Sequence, residues 1–286
     1  MKVRVTCFWE DDAALLKSLS QYAFGYRVWK DMELVLDNNY DVLVILTHPH
    51  QTLSAYDWRK AITIMTEPPS SVNVRPHETT AIVPMYLPLP FWSHLSNEER
   101  QYLRRTGVPK RELFSSVTSE LGYMKGHRLR LELIYMLDKK ISAGFDLWGK
   151  KYTGNFFNEI RAYKGELVNK YDALWKYQYH FACENSFFQN YFTEKIIDPI
   201  ITETLCFYDG CENIDAFIDE RSYIRVNVHD PFSAIEKIIH SIDDNEWSKR
   251  VRYIKQQKKR VVKELNPLNI IWLSVKGKDV LKECML

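Results

Sequence analysis

Residues 179–195, YHFACENSFFQNYFTEK, carry an apolar strand straight into Glu184-Asn185-Ser186, then through a short loop to Thr193-Glu194-Lys195 at the start of a helical pattern. An apolar run without alternation is the mark of a strand buried on both faces, as in a parallel sheet covered by helices. Thr193 suits an N-cap, and the first turn behind it offers backbone N–H groups and the positive end of a helix dipole. That helix end and the Lys195 ammonium together suit a diphosphate. Glu194 suits the hydroxyls of a ribose or sugar. The same letters also read as a solvated first turn with Asn185 capping a loop, and spacing alone does not choose.

Working outward, the alternation recurs. Upstream lie strand-like Lys2–Phe8, a helical Ala13–Phe24, the β-branched run DVLVILT at 41–47, AITIMT at 61–66 and TAIVPMY at 80–86. A polar stretch at 95–113 interrupts the pattern. It resumes with a strand at Leu113–Ser116, a helix at Arg128–Asp138 and strands at Phe145–Trp148, Leu205–Tyr208 and Tyr223–Val228. Helical patterns at Pro231–Ile242, Glu246–Val262, Asn269–Val275 and Lys278–Cys284 close the chain. Strands alternating with helices predict an α/β protein. The expected division is an N-terminal domain at 1–112, a second at 113–262 and a helical tail at 263–286. Ligands of open parallel sheets lie beyond the carboxyl ends of the strands, so a cleft between the two domains is the expected site.

Two further constellations carry chemistry. Glu67 follows an apolar strand and precedes Pro68-Pro69; a carboxylate so placed suits a general base, or simply accepts hydrogen bonds from its loop. In Lys125-Gly-His127-Arg128-Leu-Arg130, an arginine on the expected first helical turn suits a phosphate pair, or belongs to a plain basic face. His48 flanks Pro49 after the second strand, where it lines a cleft or a loop. No P-loop, G-x-G-x-x-G, H-E-x-x-H or G-x-S-x-G is present. Asp-x-Asp is absent too, and Asp243-Asp244 falls in a turn between helices, so no metal site is expected.

Composition narrows the classes. A formal net charge of +2 gives no reason to expect nucleic acid or an anionic membrane as partner. The five cysteines are odd in number and sit mostly in apolar runs, which favours reduced thiols over a disulfide framework. No segment has the ~7–15 apolar residues of a signal peptide or the ~18–20 of a membrane span, so a cytoplasmic, soluble protein is expected. The unusual count is aromatic: 17 Tyr, 14 Phe and 8 Trp. Trp9, Phe91 and Trp92 follow strands of the first domain and are candidates for a stacking floor under an acceptor sugar, against plain packing.

The segment 181–195, F-A-C-E-N-S to Y-F-T-E-K, resembles the signature of the α-1,3/1,4-fucosyltransferases of glycosyltransferase family ten, with its spacing kept from Glu184 to Lys195. Phe217–Asp230 is similar to that family's next conserved stretch, and Val3–Glu10, Asp41–Pro49 and Ile64–Ser70 resemble its acceptor-domain strands more weakly. The resemblance implies two facing Rossmann-like domains of the GT-B type. It also implies a nucleotide-sugar on the second domain, inversion at the anomeric carbon and no metal or other cofactor. Carried over, Glu184, Asn185, Tyr191, Thr193, Glu194 and Lys195 would meet the donor. Arg130 would meet the diphosphate, with Arg128 the alternative register, and Glu67 would be the base. The implied reaction moves L-fucose from GDP-fucose to a glycan hydroxyl, in a soluble form like the bacterial or viral members. Departures at Asn190, Cys206 and Asp209 keep another donor such as UDP-xylose open, as well as an inactive carbohydrate-binding homologue. Acceptor and oligomeric state are not legible.

Overall fold

The structure, a computed structural model, describes residues 1–96, 98–100, 103 and 107–286. The chain divides into two compact units, Met1–His94 with Val261–Leu286, and Leu95–Arg260. The expected boundaries at 112/113 and 262/263 therefore lie at 94/95 and 260/261, and the tail is not a separate piece. Its helices Pro267–Val275 and Val280–Cys284 bury Leu268, Ile270, Ile271 and Leu273, an apolar surface that five to nine residues of helix cannot cover alone. Asn266 Nδ2 donates to Tyr22 O (3.1 Å) and Trp272 Nε1 to Asp31 Oδ1 (2.7 Å), fastening the tail to the first unit.

The first unit is built on β1 (Lys2–Cys7), β2 (Val28–Trp29), β3 (Met32–Leu34), β4 (Val42–Leu46), β5 (Ala61–Ile64) and β6 (Ala81–Ile82). Their order is β2-β3-β1-β4-β5-β6, parallel except for the β2–β3 pair. Residues 80–86 give a shorter strand than their letters predict because Pro84 supplies no ladder donor, and the run 61–66 leaves the ladder at Ile64, where Thr66 N turns to the Thr47 hydroxyl (3.0 Å). The hairpin β2–β3 escapes sequence reading, since strands of two and three residues show no periodicity. The helix Asp12–Ser20 is N-capped by Asp11, which accepts from Ala13 N and Ala14 N.

The second unit carries β7 (Glu112–Val117), β8 (Phe145–Trp148), β9 (Tyr177–Cys183), β10 (Leu205–Asp209) and β11 (Tyr223–Arg225), all parallel in the order β11-β10-β9-β7-β8. Helix Lys125–Lys140 links β7 to β8, and helix Glu194–Ile201 links β9 to β10. Much of the aromatic load is core here. Phe114 stacks on Phe145 (4.8 Å between ring centres) and meets Phe207 edge-on (5.8 Å), while Tyr179 stacks on Phe207 (5.7 Å).

The strand orders locate the sites. Counted along the chain, the second sheet runs 2-1-3-4-5, as does the parallel part of the first. In such sheets the crossovers change direction between the strands counted 1 and 3, and the crevice at their carboxyl ends receives ligands. These switch points fall between β7 and β9 in the second unit and between β1 and β4 in the first.

Candidate active site

The carboxyl end of β9 is met by the start of helix Lys125–Lys140. Gly126 N donates to Asn185 O (3.2 Å), and a Cβ at Gly126 would lie 2.2 Å from Glu184 O; only glycine allows the approach. The helix starts at Lys125, so Arg130 stands on its second turn, not the first. Helical side chains lean toward the N-terminus, which carries the guanidinium back to the switch point. There Arg130 Nε donates to Thr118 Oγ1 (2.8 Å) just beyond β7, and Nη1 donates to Cys183 O (2.9 Å) and Asn185 Oδ1 (3.1 Å). At 5% exposure Arg130 is buried, yet its second terminal nitrogen, Nη2, makes no hydrogen bond among the described residues. Burial lowers its pKa, with Cys183, Glu184 and Glu194 opposing; a guanidinium stays charged regardless. Arg128 is exposed and donates instead to Gly122 O and Tyr123 O, so Arg130 is the arginine joined to the β9 motif. His127 bonds the Asn185 side chain, and burial together with Arg130 and Lys195 pushes it down to about 4, so it is neutral.

Glu184 is the fully buried anchor of the motif. It accepts from Thr193 N (2.9 Å), from Thr193 Oγ1 (2.8 Å) and from the Tyr208 hydroxyl (3.1 Å). Gly210 makes room for it, since a Cβ there would lie 2.3 Å from Glu184 Cγ. Thr193 N-caps the helix as expected, accepting from Lys195 N. Its own N–H is taken by Glu184, so fewer free donors remain at this helix end than the sequence suggests. Lys195 Nζ sits 3.1 Å from Glu194 Oε1 and 3.5 Å from Glu184 Oε2. Burial works against the Lys195 charge, but Glu194 and Glu184 outweigh it and raise its pKa. Burial would also raise Glu194; Lys195 and Lys170 hold it well below the usual carboxylate range. For Glu184, burial prevails over Lys195 and the pKa rises.

Three departures from the family pattern have structural accounts. Asn190 has φ 61° and exchanges hydrogen bonds with Asn213, both 2.8 Å; asparagine tolerates this left-handed region that glycine otherwise fills. Cys206 Sγ lies 3.9 Å from Lys195 O, the carbonyl that Pro199 leaves without its helical N–H donor. Asp209 accepts from Gly210 N (2.9 Å) and Val228 N (2.8 Å), tying β10 to the loop after β11. Tyr191 is buried.

In the first unit, Phe8 and His48 straddle the β1/β4 switch point and stack at 4.8 Å, with Trp9 edge-on to Phe8 and 41% exposed. Burial lowers the His48 pKa. Thr47 ends β4 at φ 66°, a strained position for a β-branched residue. Its hydroxyl contacts Thr66 Oγ1 (2.7 Å) and accepts from Thr66 N (3.0 Å), fixing the residue before Glu67. The Glu67 carboxylate itself makes no hydrogen bond or ion pair among the described residues. Phe91 is 39% exposed, but Trp92 is 2% exposed against Tyr22 (5.3 Å). Trp92 is therefore a core residue and drops out of the stacking floor: its hydrophobic surface is already covered. Among the described residues no three His, Cys, Asp or Glu side chains gather as a metal site, and no helix is long and apolar enough to cross a membrane.

Residue types alone did not single out Thr118, Gly126, His127 or Lys170. Gly126 and His127 stand in the quoted K-G-H-R-L-R run, where a glycine next to a helix start was the available signal. Lys170 lies in irregular chain and carries none.

The family profile described as glycosyltransferase family 10 (fucosyltransferase), C-terminal part, matches residues 109–273. GDP-fucose protein O-fucosyltransferase 3 of Danio rerio is 29% identical over 99 residues, 34% of this chain and 21% of that protein. The match thus spans about a fifth of the curated relative. Among solved structures, an α1,3-fucosyltransferase is similar with TM-score 0.57 and 17% identity, over 98% of this chain and 91% of the other. The same kind of enzyme with GDP-fucose is similar with TM-score 0.53 and 17% identity, over 88% and 81%. T4 phage β-glucosyltransferase follows with TM-score 0.53 and 10% identity, over 96% and 99%. Two parallel α/β sheets and these likenesses define the GT-B class of glycosyltransferase folds. Within it, the chain belongs to glycosyltransferase family 10, the fucosyltransferases.

Proposed function

We propose that this chain is an inverting, metal-independent glycosyltransferase that moves L-fucose from GDP-fucose to a hydroxyl of a glycan acceptor. The observation that carries the reading is Arg130, a buried guanidinium tied to the ends of both switch-point strands and bonded to the motif that holds Lys195. In the proposed reaction the acceptor oxygen attacks the anomeric carbon and gives its proton to Glu67. The bond from that carbon to the diphosphate breaks, and its electron pair leaves on GDP. Arg130 Nη2 and Lys195 stabilise the charge that grows there. Preorganised donors aimed at developing charge commonly supply the largest catalytic contribution, and two fixed cations can fill the role of a metal. Glu194 receives sugar or ribose hydroxyls. Trp9 and Phe91, together with His48 stacked on Phe8, offer faces to the acceptor. The GDP-fucose named for the fucosyltransferase relatives supports the donor choice.

A thermal-shift panel of GDP-, UDP- and CMP-sugars with chelator present tests the reading. Stabilisation by GDP-fucose with fucose transfer to a glycan panel is expected. Selective stabilisation by a UDP-sugar overturns the donor, and binding without turnover or donor hydrolysis points to an inactive carbohydrate-binding homologue.

A further inference from the structure

Lys170 lies outside the β9 motif, yet its ammonium reaches Glu194 within it. It opens a short 3₁₀ turn, Lys170–Ala173, capped by Asn169, whose side chain accepts from Tyr171 N (3.0 Å). Its ammonium donates to Asp198 Oδ2 (3.0 Å) and lies 3.5 Å from Glu194 Oε1. Asp198 is fully buried on helix Glu194–Ile201, and its other oxygen accepts from the Tyr171 hydroxyl (2.9 Å). Five charges therefore alternate in a row: Asp198, Lys170, Glu194, Lys195 and Glu184, spaced 3.0, 3.5, 3.1 and 3.5 Å. A single oxygen, Glu194 Oε1, is shared by both ammoniums.

That sharing has a chemical purpose once a diphosphate arrives. The incoming dianion competes with Glu194 for Lys195, and a largely enclosed carboxylate stripped of its cation is costly. A second ammonium already beside the same oxygen removes most of that cost. We propose that Lys170 is a positioning residue of the donor site, the standby counter-ion of Glu194 that frees Lys195 to turn to the diphosphate. The inference rests on the functional reading above only in needing a nucleoside diphosphate, and it is independent of the sugar and the acceptor.

Lys170→Met alone would take the Lys170 ammonium from the buried Asp198 carboxylate as well as from Glu194, so the informative variant is K170M/D198N, whose amide oxygen still accepts from Tyr171. K170R is the conservative rescue. Titration calorimetry with GDP, and UDP in parallel, is run near pH 8 and near pH 5. The charged groups facing Glu194 are Lys195 on its own helix, Lys170 on the 3₁₀ turn, Arg130 on helix Lys125–Lys140 and Glu184 at the end of β9. His127 is neutral at both pH values.

Near pH 8 the double variant should bind roughly tenfold or more weakly than wild type, the size of a lost charge-assisted hydrogen bond. Near pH 5 the deficit should shrink, because Glu194 held by one lysine takes a proton and releases Lys195. K170R should follow wild type at both. A double variant with wild-type affinity, or a deficit that stays constant with pH, overturns the inference and leaves Lys170 a structural residue. Wild type that binds neither nucleotide overturns the functional reading itself. Binding of UDP alone overturns only the donor choice, and the variants are then judged on UDP.

Discussion

Glu184 illustrates how a single fully buried residue holds a site together. Its carboxylate engages the Thr193 N-cap and stands beside Lys195, so strand end, helix start and cation are positioned together. The residues expected to act on substrate are separable by measurement. Lys195→Ala should weaken donor binding and lower kcat by about 10²–10³-fold, the usual effect of removing one preorganised donor; Glu67→Gln should abolish turnover while calorimetry with GDP stays unchanged. Measurable turnover in Glu67→Gln removes Glu67 from the role of base. Acid stability follows from the two buried histidines. Burial pushes His127 down to about 4 and His180 to about 3, each from an ordinary 6.5. Between those values the unfolded chain binds more protons than the folded one, so stability falls as pH drops from about 6.5 toward 4. Tm should decline from pH 7 to 5, and less steeply in His180→Gln; an equal decline in that variant would contradict the assignment.

Secondary-structure elements decide where these side chains arrive, and the close approach at Gly126 is the tightest joint. Gly126→Ala must push helix Lys125–Lys140 away from the Glu184 carbonyl and carry Arg130 with it. Overpacking of this kind costs about 1–3 kcal/mol, read as a lower Tm together with weakened GDP binding. Gly122→Ala is the control, because its Cβ meets only Arg128 Cγ at 3.9 Å, and both readouts should hold. Much of this was legible in the letters. The buried runs of β4 and β9 and the Thr193 cap announce themselves through periodicity and capping chemistry. The β2–β3 hairpin is too short to show a period. Residues 149–176 run largely through turns and 3₁₀ segments, so nothing local marks Lys170. Trp92 was misread because one sequence does not distinguish an aromatic that covers a core from one that offers a face.

At the scale of the whole molecule the chain leaves the first unit after residue 94 and returns to it at residue 261. Deleting residues 264–286 should therefore destabilise the first unit, removing the helix that buries Leu268, Ile270, Ile271 and Leu273 and the Asn266 donor to Tyr22 O. Limited proteolysis of the truncated chain should cut within residues 1–94 while 95–260 persists; equal resistance of both would show that the tail is dispensable. The same layout bears on how the protein is made. A ribosome emits the first sheet early, but its last helices follow only after the entire second unit has been synthesised. At ~5–20 residues per second that interval is roughly ten to thirty seconds. The second unit, contiguous in the chain, is free to fold first, while the nascent N-terminal strands wait for their cover. Chaperone dependence of expression should track this delay, and a circular permutant that starts at residue 261 and ends at 260 would shorten it.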